Sequence, residues 1–192
     1  LMEEVSRLYG GKPFDDATTC IVKIRQRQTV NIAIGPPENV SDNHRMMALF
    51  FAKEGKHIVC GGTTSKIAAE YLHTTVQTEY SSPDPDIPPI SHIQGIDLVT
   101  EGIITVDRIL DYAKAYVKDN RSFEQWCYKK DGASLAARML FEDATDINMF
   151  IGHAENPAHD GLPINFNVKM QILKQLSKNL EKMGKRVKIL DF

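Results

Sequence analysis

The fold is decided by one stretch in the first half of the chain, residues 58–72, which reads IVCGGTTSKIAAEYL. Its first three residues are apolar and suit a short buried strand. Two glycines follow, and the next residues have the apolar spacing of a helix. A buried strand that turns directly into a helix is the repeating unit of a parallel sheet with crossover helices.

The same alternation continues on both sides of this stretch. The pattern predicts further strands at residues 30–34, 75–80, 96–100, 147–151 and 186–190. It predicts helices that begin with Ser41 and Thr105 as N-caps, one over residues 134–141, and a last one that ends at Gly184. The chain is therefore predicted to belong to the α/β class, with a three-layer α/β/α domain and a mostly parallel sheet.

The composition is that of a globular protein with a sizeable core. The chain has 192 residues, of which 42% are hydrophobic and 25% charged, with a net charge of -2. This balance gives no argument for a nucleic-acid or membrane partner, and no apolar run approaches the ~20 residues that span a bilayer. Cys20, Cys60 and Cys127 are far apart, which favours buried thiols in a reducing cytoplasm over disulfides or zinc. We therefore expect a cytoplasmic protein.

The first part of the chain has a different pattern. A helix with apolar residues on one side stops at Gly10-Gly11, and residues 8–18 read LYGGKPFDDAT. This run leads into a predicted strand at 20–24, after which residues 26–28 read as a linker. The segment resembles the closing segment of metal-dependent (PPM-type) protein phosphatases, and most of all that of the bacterial stage II sporulation protein E branch.

The resemblance implies a role for Asp15. In that family, the first aspartate of the pair is a ligand of a dinuclear Mn²⁺/Mg²⁺ site, which activates water and holds a phosphoryl group. The intact phosphatase is therefore expected to use Mn or Mg on a phosphoprotein substrate. The family's other metal-binding aspartates lie upstream of this sequence, so we expect the fragment itself to be inactive and to hold no cofactor. The alternative is an ordinary turn in which Asp16 caps backbone amides.

The resemblance also divides the chain. Residues 1–27 are interpreted as the C-terminal remnant of the phosphatase domain, and residues 28–192 as an accessory α/β domain. The order of motifs in the second part, with its closing helix and strand, resembles the domain that follows the phosphatase in some stage II sporulation E-like bacterial proteins. We expect a regulatory or sensory role for it.

The first candidate site is Gly61-Gly62-Thr63-Thr64-Ser65. Glycines allow backbone N–H groups to approach a ligand closely, and a helix N-terminus attracts phosphate or carboxylate. The turn is similar to the phosphate-gripping turn of sugar-phosphate isomerases and of the sensor domains of DeoR-type regulators. The alternative is a structural turn with a threonine cap.

Two further motifs follow predicted strands, at the ends where open α/β sheets bind ligands. Glu101 and Gly102 end the strand at 96–100, although Glu101 also fits an exposed loop charge. The loop at 152–160, GHAENPAHD, offers Asn156 and His159 as ligand contacts. Its alternatives are a metal site and a surface loop. The predicted ligand-binding residues are Gly61, Gly62, Thr63, Thr64, Ser65, Glu101, Gly102, Asn156 and His159, and no catalytic residue is predicted.

Two other functions compete with the binding of a small anionic ligand. The proline-rich loop at 81–89 fits a lid, a surface strap or a dimer contact. With the Met- and Phe-rich helix at 46–51, it motivates an interaction or dimerisation module that would form a homodimer. An independent sugar-phosphate enzyme would have only His153, Glu155 and Glu101 as acid/base groups.

Overall fold

The computed structural model describes residues 2–12, 20, 22, 24–119, 123–154 and 166–192. In this part of the chain, a seven-stranded sheet has the order β3-β4-β5-β2-β1-β6-β7. The strands are β1 Thr29–Ile34, β2 Lys56–Cys60, β3 Gln77–Thr78, β4 Ser91–His92, β5 Leu98–Thr100, β6 Asp146–Ile151 and β7 Arg186–Asp191. All pairs are parallel except β3 with β4 and β4 with β5 at one edge. The predicted mostly parallel α/β sheet is confirmed.

Helices cover both faces of the sheet. They are α1 Met2–Leu8, α2 Asn43–Phe51, α3 Gly62–Tyr71, α4 Ile103–Lys118, α5 Phe123–Trp126, α6 Gly132–Ala137 and α7 Phe166–Lys182. A 3-10 turn, Val40–Asp42, precedes α2, and a π-helix, Arg138–Asp143, continues α6. Residues of α2 and α3 pack on one face, and residues of α4, α6 and α7 pack on the other. The result is the predicted three-layer arrangement.

The central strands are buried on both faces because both are covered. Ile32 and Ile58 point into the larger core with α4 and α7, whereas Ala33 and Val59 point toward α2 and α3. The apolar residues of α2 that join this second cluster are 0% exposed: Met46, Met47 and Phe50. These three side chains form core and are not available to a dimer contact, whereas Leu49 of the same helix is 41% exposed.

Both predicted helix caps are wrong. Ser41 lies inside the 3-10 turn, and α2 begins at Asn43 after Asp42, whose side chain makes no capping bond. Thr105 lies inside the first turn of α4, which begins directly after Gly102. Gly102, with a positive φ of 151°, occupies the N-cap position in place of a residue with a capping side chain.

The strand predicted at 20–24 is not seen at its described residues. Cys20, Val22 and Ile24 have irregular backbone, and the last two are 81% and 95% exposed. An isolated strand leaves its backbone groups unpaired, and none of the sheet strands described above pairs with these residues. Cys20 is therefore exposed, contrary to the prediction, while Cys60 and Cys127 are buried as predicted. Burial raises the pKa of the Cys60 thiol to about 11.

The segment before β1 is fastened to the start of β6. Arg27 donates two hydrogen bonds to Asp146, from Nε to Oδ2 at 2.9 Å and from Nη2 to Oδ1 at 2.6 Å. The backbone N–H of Gln28 donates to Thr145 Oγ1 at 2.8 Å, and Thr145 N–H donates to the Gln28 carbonyl at 2.8 Å. Residues 27 and 28, predicted as linker, are thus held against the domain.

We expect Asp146→Asn to lower the free energy of unfolding by about 1 kcal/mol at neutral pH, since the Arg27 side chain is 70% exposed and solvent screens the pair. The Arg27 guanidinium lowers the pKa of Asp146 below its usual value. The ionised carboxylate therefore adds its full share to the free energy of unfolding above about pH 4. This stabilisation is lost as the pH falls through the lowered pKa of Asp146. Urea unfolding between pH 7 and pH 2 measures the difference, which should close at the acid end. If the difference in free energy of unfolding between the wild type and Asp146→Asn stayed the same from pH 7 to pH 2, the loss of stability would come from packing and not from the ion pair.

Candidate functional site

The carboxyl ends of the parallel strands form one continuous edge. Backbone hydrogen bonds join neighbouring strand ends: Gly61 N–H to the Thr100 carbonyl at 3.0 Å, and Gly152 N–H to the Ile34 carbonyl at 3.1 Å. The residues that follow β5, β2, β1 and β6 consequently lie side by side. This edge is where ligands bind in open α/β sheets.

Two helix N-termini meet on this edge at Gly61 and Gly102. α3 begins after Gly61, with φ of 113°, and α4 begins after Gly102, with φ of 151°. A Cβ on Gly102 would lie 3.3 Å from the Gly61 Cα, so the two turns are in backbone contact. Both backbone conformations favour glycine, and the contact leaves little room for a side chain. The first two sequence motifs therefore share one place in the fold.

The two helix starts are built alike. Each has a threonine three residues after its glycine, Thr64 in α3 and Thr105 in α4, and both side chains are 0% exposed. Their Oγ1 atoms have no hydrogen-bond partner within the described part of the chain. A buried hydroxyl without a partner costs about 1–3 kcal/mol. Both hydroxyls lie beneath the surface of the turn, so a ligand or water would reach them only through a local opening of the turn.

The remaining residues of the turn divide into two kinds. Ser65 is buried, and its Oγ donates to the Gly61 carbonyl at 2.8 Å, so this hydroxyl serves the helix. Gly62 and Thr63 are exposed, and a Cβ on Gly62 would meet nothing within 4 Å. The space beside the start of α3 is thus open. Glu101 is exposed on the neighbouring turn and adds a negative charge nearby.

The order of the strands reverses at β1, which lies between β2 and β6. At this switch point the loops after β1 and β6 are in backbone contact, since a Cβ on Gly152 would lie 2.0 Å from the Pro36 carbonyl oxygen. Lys169 of α7 donates from Nζ to the Gly152 carbonyl at 2.6 Å, and burial lowers the pKa of Lys169. The amine of Lys169 therefore lies at the switch point.

Sequence reasoning missed Lys169, although a signal was present. The apolar face of α7 carries Leu173, Leu176 and Leu180, all buried. Position 169 is four residues before Leu173 and falls on the same face. A lysine at the start of an apolar helix face indicates that its amine is partly buried.

The motif at 152–160 is only partly described. His153 Nε2 lies 2.8 Å from Asp191 Oδ1 at the end of β7. Asn156 and His159 lie outside the described residues, as do Glu155, Asp160 and the phosphatase-like Asp15. Among the residues that the structure does describe, no three His, Cys, Asp or Glu side chains are grouped to hold a metal ion. The described residues thus give no support to a metal site.

The proline-rich loop is attached to the domain at two points. Ile87 is buried in the larger core, and Lys129 Nζ lies 2.9 Å from Asp84 Oδ2. The Lys129 ammonium lowers the pKa of the Asp84 carboxyl. These contacts favour the surface strap among the three interpretations of this loop.

The fold and its strand-end edge define an α/β protein with crossover helices on both faces and two glycine turns at adjacent helix N-termini. Comparisons with family models, with curated proteins and with solved structures gave no significant match. Among the described helices, none has the length and apolar character needed to cross a bilayer. The function is therefore argued from the site.

Proposed function

We propose that residues 28–192 are a regulatory or sensory domain that binds a small anionic, phosphate-containing ligand. The observation that carries the proposal is the meeting of two helix N-termini at Gly61 and Gly102. Each N-terminus presents unpaired N–H donors and the positive end of a helix dipole. Two of them side by side favour an anion at the same place.

The surrounding side chains define the kind of anion. The exposed Thr63 hydroxyl and the buried Thr64 and Thr105 hydroxyls can donate to phosphate oxygens. The carboxylate of Glu101 repels a bare phosphate but accepts hydrogen bonds from hydroxyl groups. A phosphate ester with neighbouring hydroxyls, such as a sugar phosphate, satisfies both requirements.

The proposal includes the attachment of this domain to a metal-dependent serine/threonine phosphatase of the cytoplasm. Its support is the resemblance of residues 8–24, and Mn or Mg and the phosphoprotein substrate would belong to the intact phosphatase. The contact between Arg27 and Asp146 offers a route between the two parts, because it joins the residues before β1 to the sheet. No step of the ligand binding passes through a metal.

We expect glucose 6-phosphate, used as the probe, to raise the melting temperature of the wild-type chain by several degrees. At ~100 times its dissociation constant, a ligand that binds only the folded state contributes ~2.7 kcal/mol. Thr64→Val should remove this shift. Without ligand, the same variant should be as stable as the wild type or more stable by about 1 kcal/mol, because it removes an unpartnered buried hydroxyl.

The matched control is Thr75→Val, which changes an exposed threonine after α3 and should leave the ligand shift intact. Inorganic phosphate and glucose, each alone, separate the contributions of the anion and of the hydroxyl groups. The proposal is wrong if neither phosphate nor the sugar phosphate shifts the melt. It is also wrong if the shift survives in Thr64→Val, since the ligand then binds elsewhere.

A further inference from the structure

A recess of about 500 Å³ lies between α2 and α3. The C-terminal half of α3 lines it, whereas the glycine turn lies at the opposite end of that helix. Its apolar lining is Met47 and Ile67, and Asn43, His44, Glu70, Tyr71 and His73 provide the polar groups. None of these features belongs to the strand-end edge described above.

The polar lining of the recess includes several hydrogen-bond acceptors beside its donors. Asn43 Oδ1 is buried and has no partner within the described part of the chain. Glu70 is exposed and contributes a carboxylate. A neutral histidine offers one acceptor nitrogen, so His44 and His73 can also accept. Among the described residues that line the recess there is no lysine or arginine.

The aromatic side chain of Tyr71 also favours a cationic ligand in the recess. The Tyr71 ring stacks on Phe51 with centroids 5.5 Å apart at 12°, and the His44 ring lies 5.3 Å from Tyr71 at 58°. These contacts fix the orientation of the Tyr71 ring, and Glu70 lines the same recess. An aromatic ring next to a carboxylate attracts an organic cation through both its quadrupole and the full charge.

The end of α3 has an unusual backbone at the recess. His73 has φ of 53°, and no other non-glycine residue in the described ranges has a positive φ. The position ends the helix, with Thr74 N–H bonded to the Ala69 carbonyl at 2.9 Å, and glycine or asparagine is the usual residue there. The left-handed conformation of His73 is thus part of the helix end that borders the recess.

We infer that this recess binds a small organic cation, a primary ammonium on a short apolar body. The ammonium would donate to the Glu70 carboxylate and to Asn43 Oδ1, which the incoming ligand must uncover, and the body would lie against Ile67 and Tyr71. The inference does not depend on the proposed anion site, because the two use different residues and opposite charges.

The test is calorimetric titration of the whole chain with n-butylamine at physiological ionic strength. A ligand of this size in a partly polar recess should bind with Kd of about 1 mM or tighter. Glu70→Gln should weaken binding at least about tenfold, since it removes the opposing charge from an exposed position that the fold does not need. Asn43→Leu should weaken binding as well, and 1-butanol, which lacks the cation, should not bind.

The matched control is Glu181→Gln, which removes an exposed carboxylate from α7 on the other face of the sheet. Its affinity for n-butylamine should equal that of the wild type. Equal losses in Glu70→Gln and Glu181→Gln would overturn the inference, because they indicate general attraction to an acidic surface. Absence of binding to the wild type at 10 times the expected Kd would overturn it too, and so would unchanged binding by Glu70→Gln.

Discussion

Gly152→Ala is expected to lower the free energy of unfolding by about 3 kcal/mol or more. A Cβ at this position would lie 2.0 Å from the Pro36 carbonyl oxygen and 2.4 Å from that of Gly35. One of the two loops at the switch point would have to move. That movement breaks the bond from Gly152 N–H to the Ile34 carbonyl and displaces Lys169 from the Gly152 carbonyl.

Gly62→Ala is the matched control, because it adds the same methyl group to another glycine of the strand-end edge. Nothing lies within 4 Å of the added carbon, and residue 62 is in α3 with an ordinary helical backbone. The change should be neutral or stabilise the chain by about 0.5–1 kcal/mol. Urea unfolding followed by circular dichroism gives both values. A difference of less than 1 kcal/mol between the two variants would show that the loops are not in contact in solution.

The class of the fold was predictable because the signals are local and repeated. Short apolar strands that turn at glycines into helices allow few arrangements other than a parallel sheet with crossovers. The same logic predicted that Gly61 and Gly102 each follow a strand, at the end of the sheet where ligands bind. Their direct contact also depends on the pairing of β2 with β5, and periodicity alone does not determine which strands pair.

Other features depend on residues far apart in the chain. Arg27 and Asp146 are 119 positions apart, and the pair exists only because β1 and β6 are neighbours. Lys169 becomes part of the strand-end edge through its contact with Gly152. Residues 20–24 have an alternation of side chains that is typical of a strand. This alternation does not show whether a neighbouring strand is present to pair with it. Asp15, Asn156 and His159 stay predictions, since they lie outside the described residues.

The recess between α2 and α3 shows a different limit of sequence reasoning. Its lining combines residues 43–47 with residues 67–73, and each set alone reads as an ordinary amphipathic helix. Asn43 appears in sequence as one more polar residue near a helix start. Only the packing of the two helices shows that its Oδ1 is buried without a partner.

Trp126→Ala is expected to lower the free energy of unfolding by about 4 kcal/mol. The side chain is 0% exposed, although it lies in a charged stretch of the sequence and in a helix of only 4 residues. Its ring is 5.3 Å from Phe123, 5.5 Å from Phe141 and 5.7 Å from Tyr112, measured between centroids. Truncation would leave a cavity against all three rings and release α5 from the core.

Trp126→Phe separates the loss of the ring from the loss of the indole N–H. Trp126 Nε1 is buried without a hydrogen-bond partner in the described part of the chain, so removing it sacrifices no bond. The phenylalanine variant should therefore lose only about 1–2 kcal/mol, for the smaller ring. Because Trp126 is the single tryptophan of the chain, both variants need circular dichroism as the readout. If the alanine variant lost less than 1 kcal/mol, α5 would not be packed against α4 and the π-helix in solution.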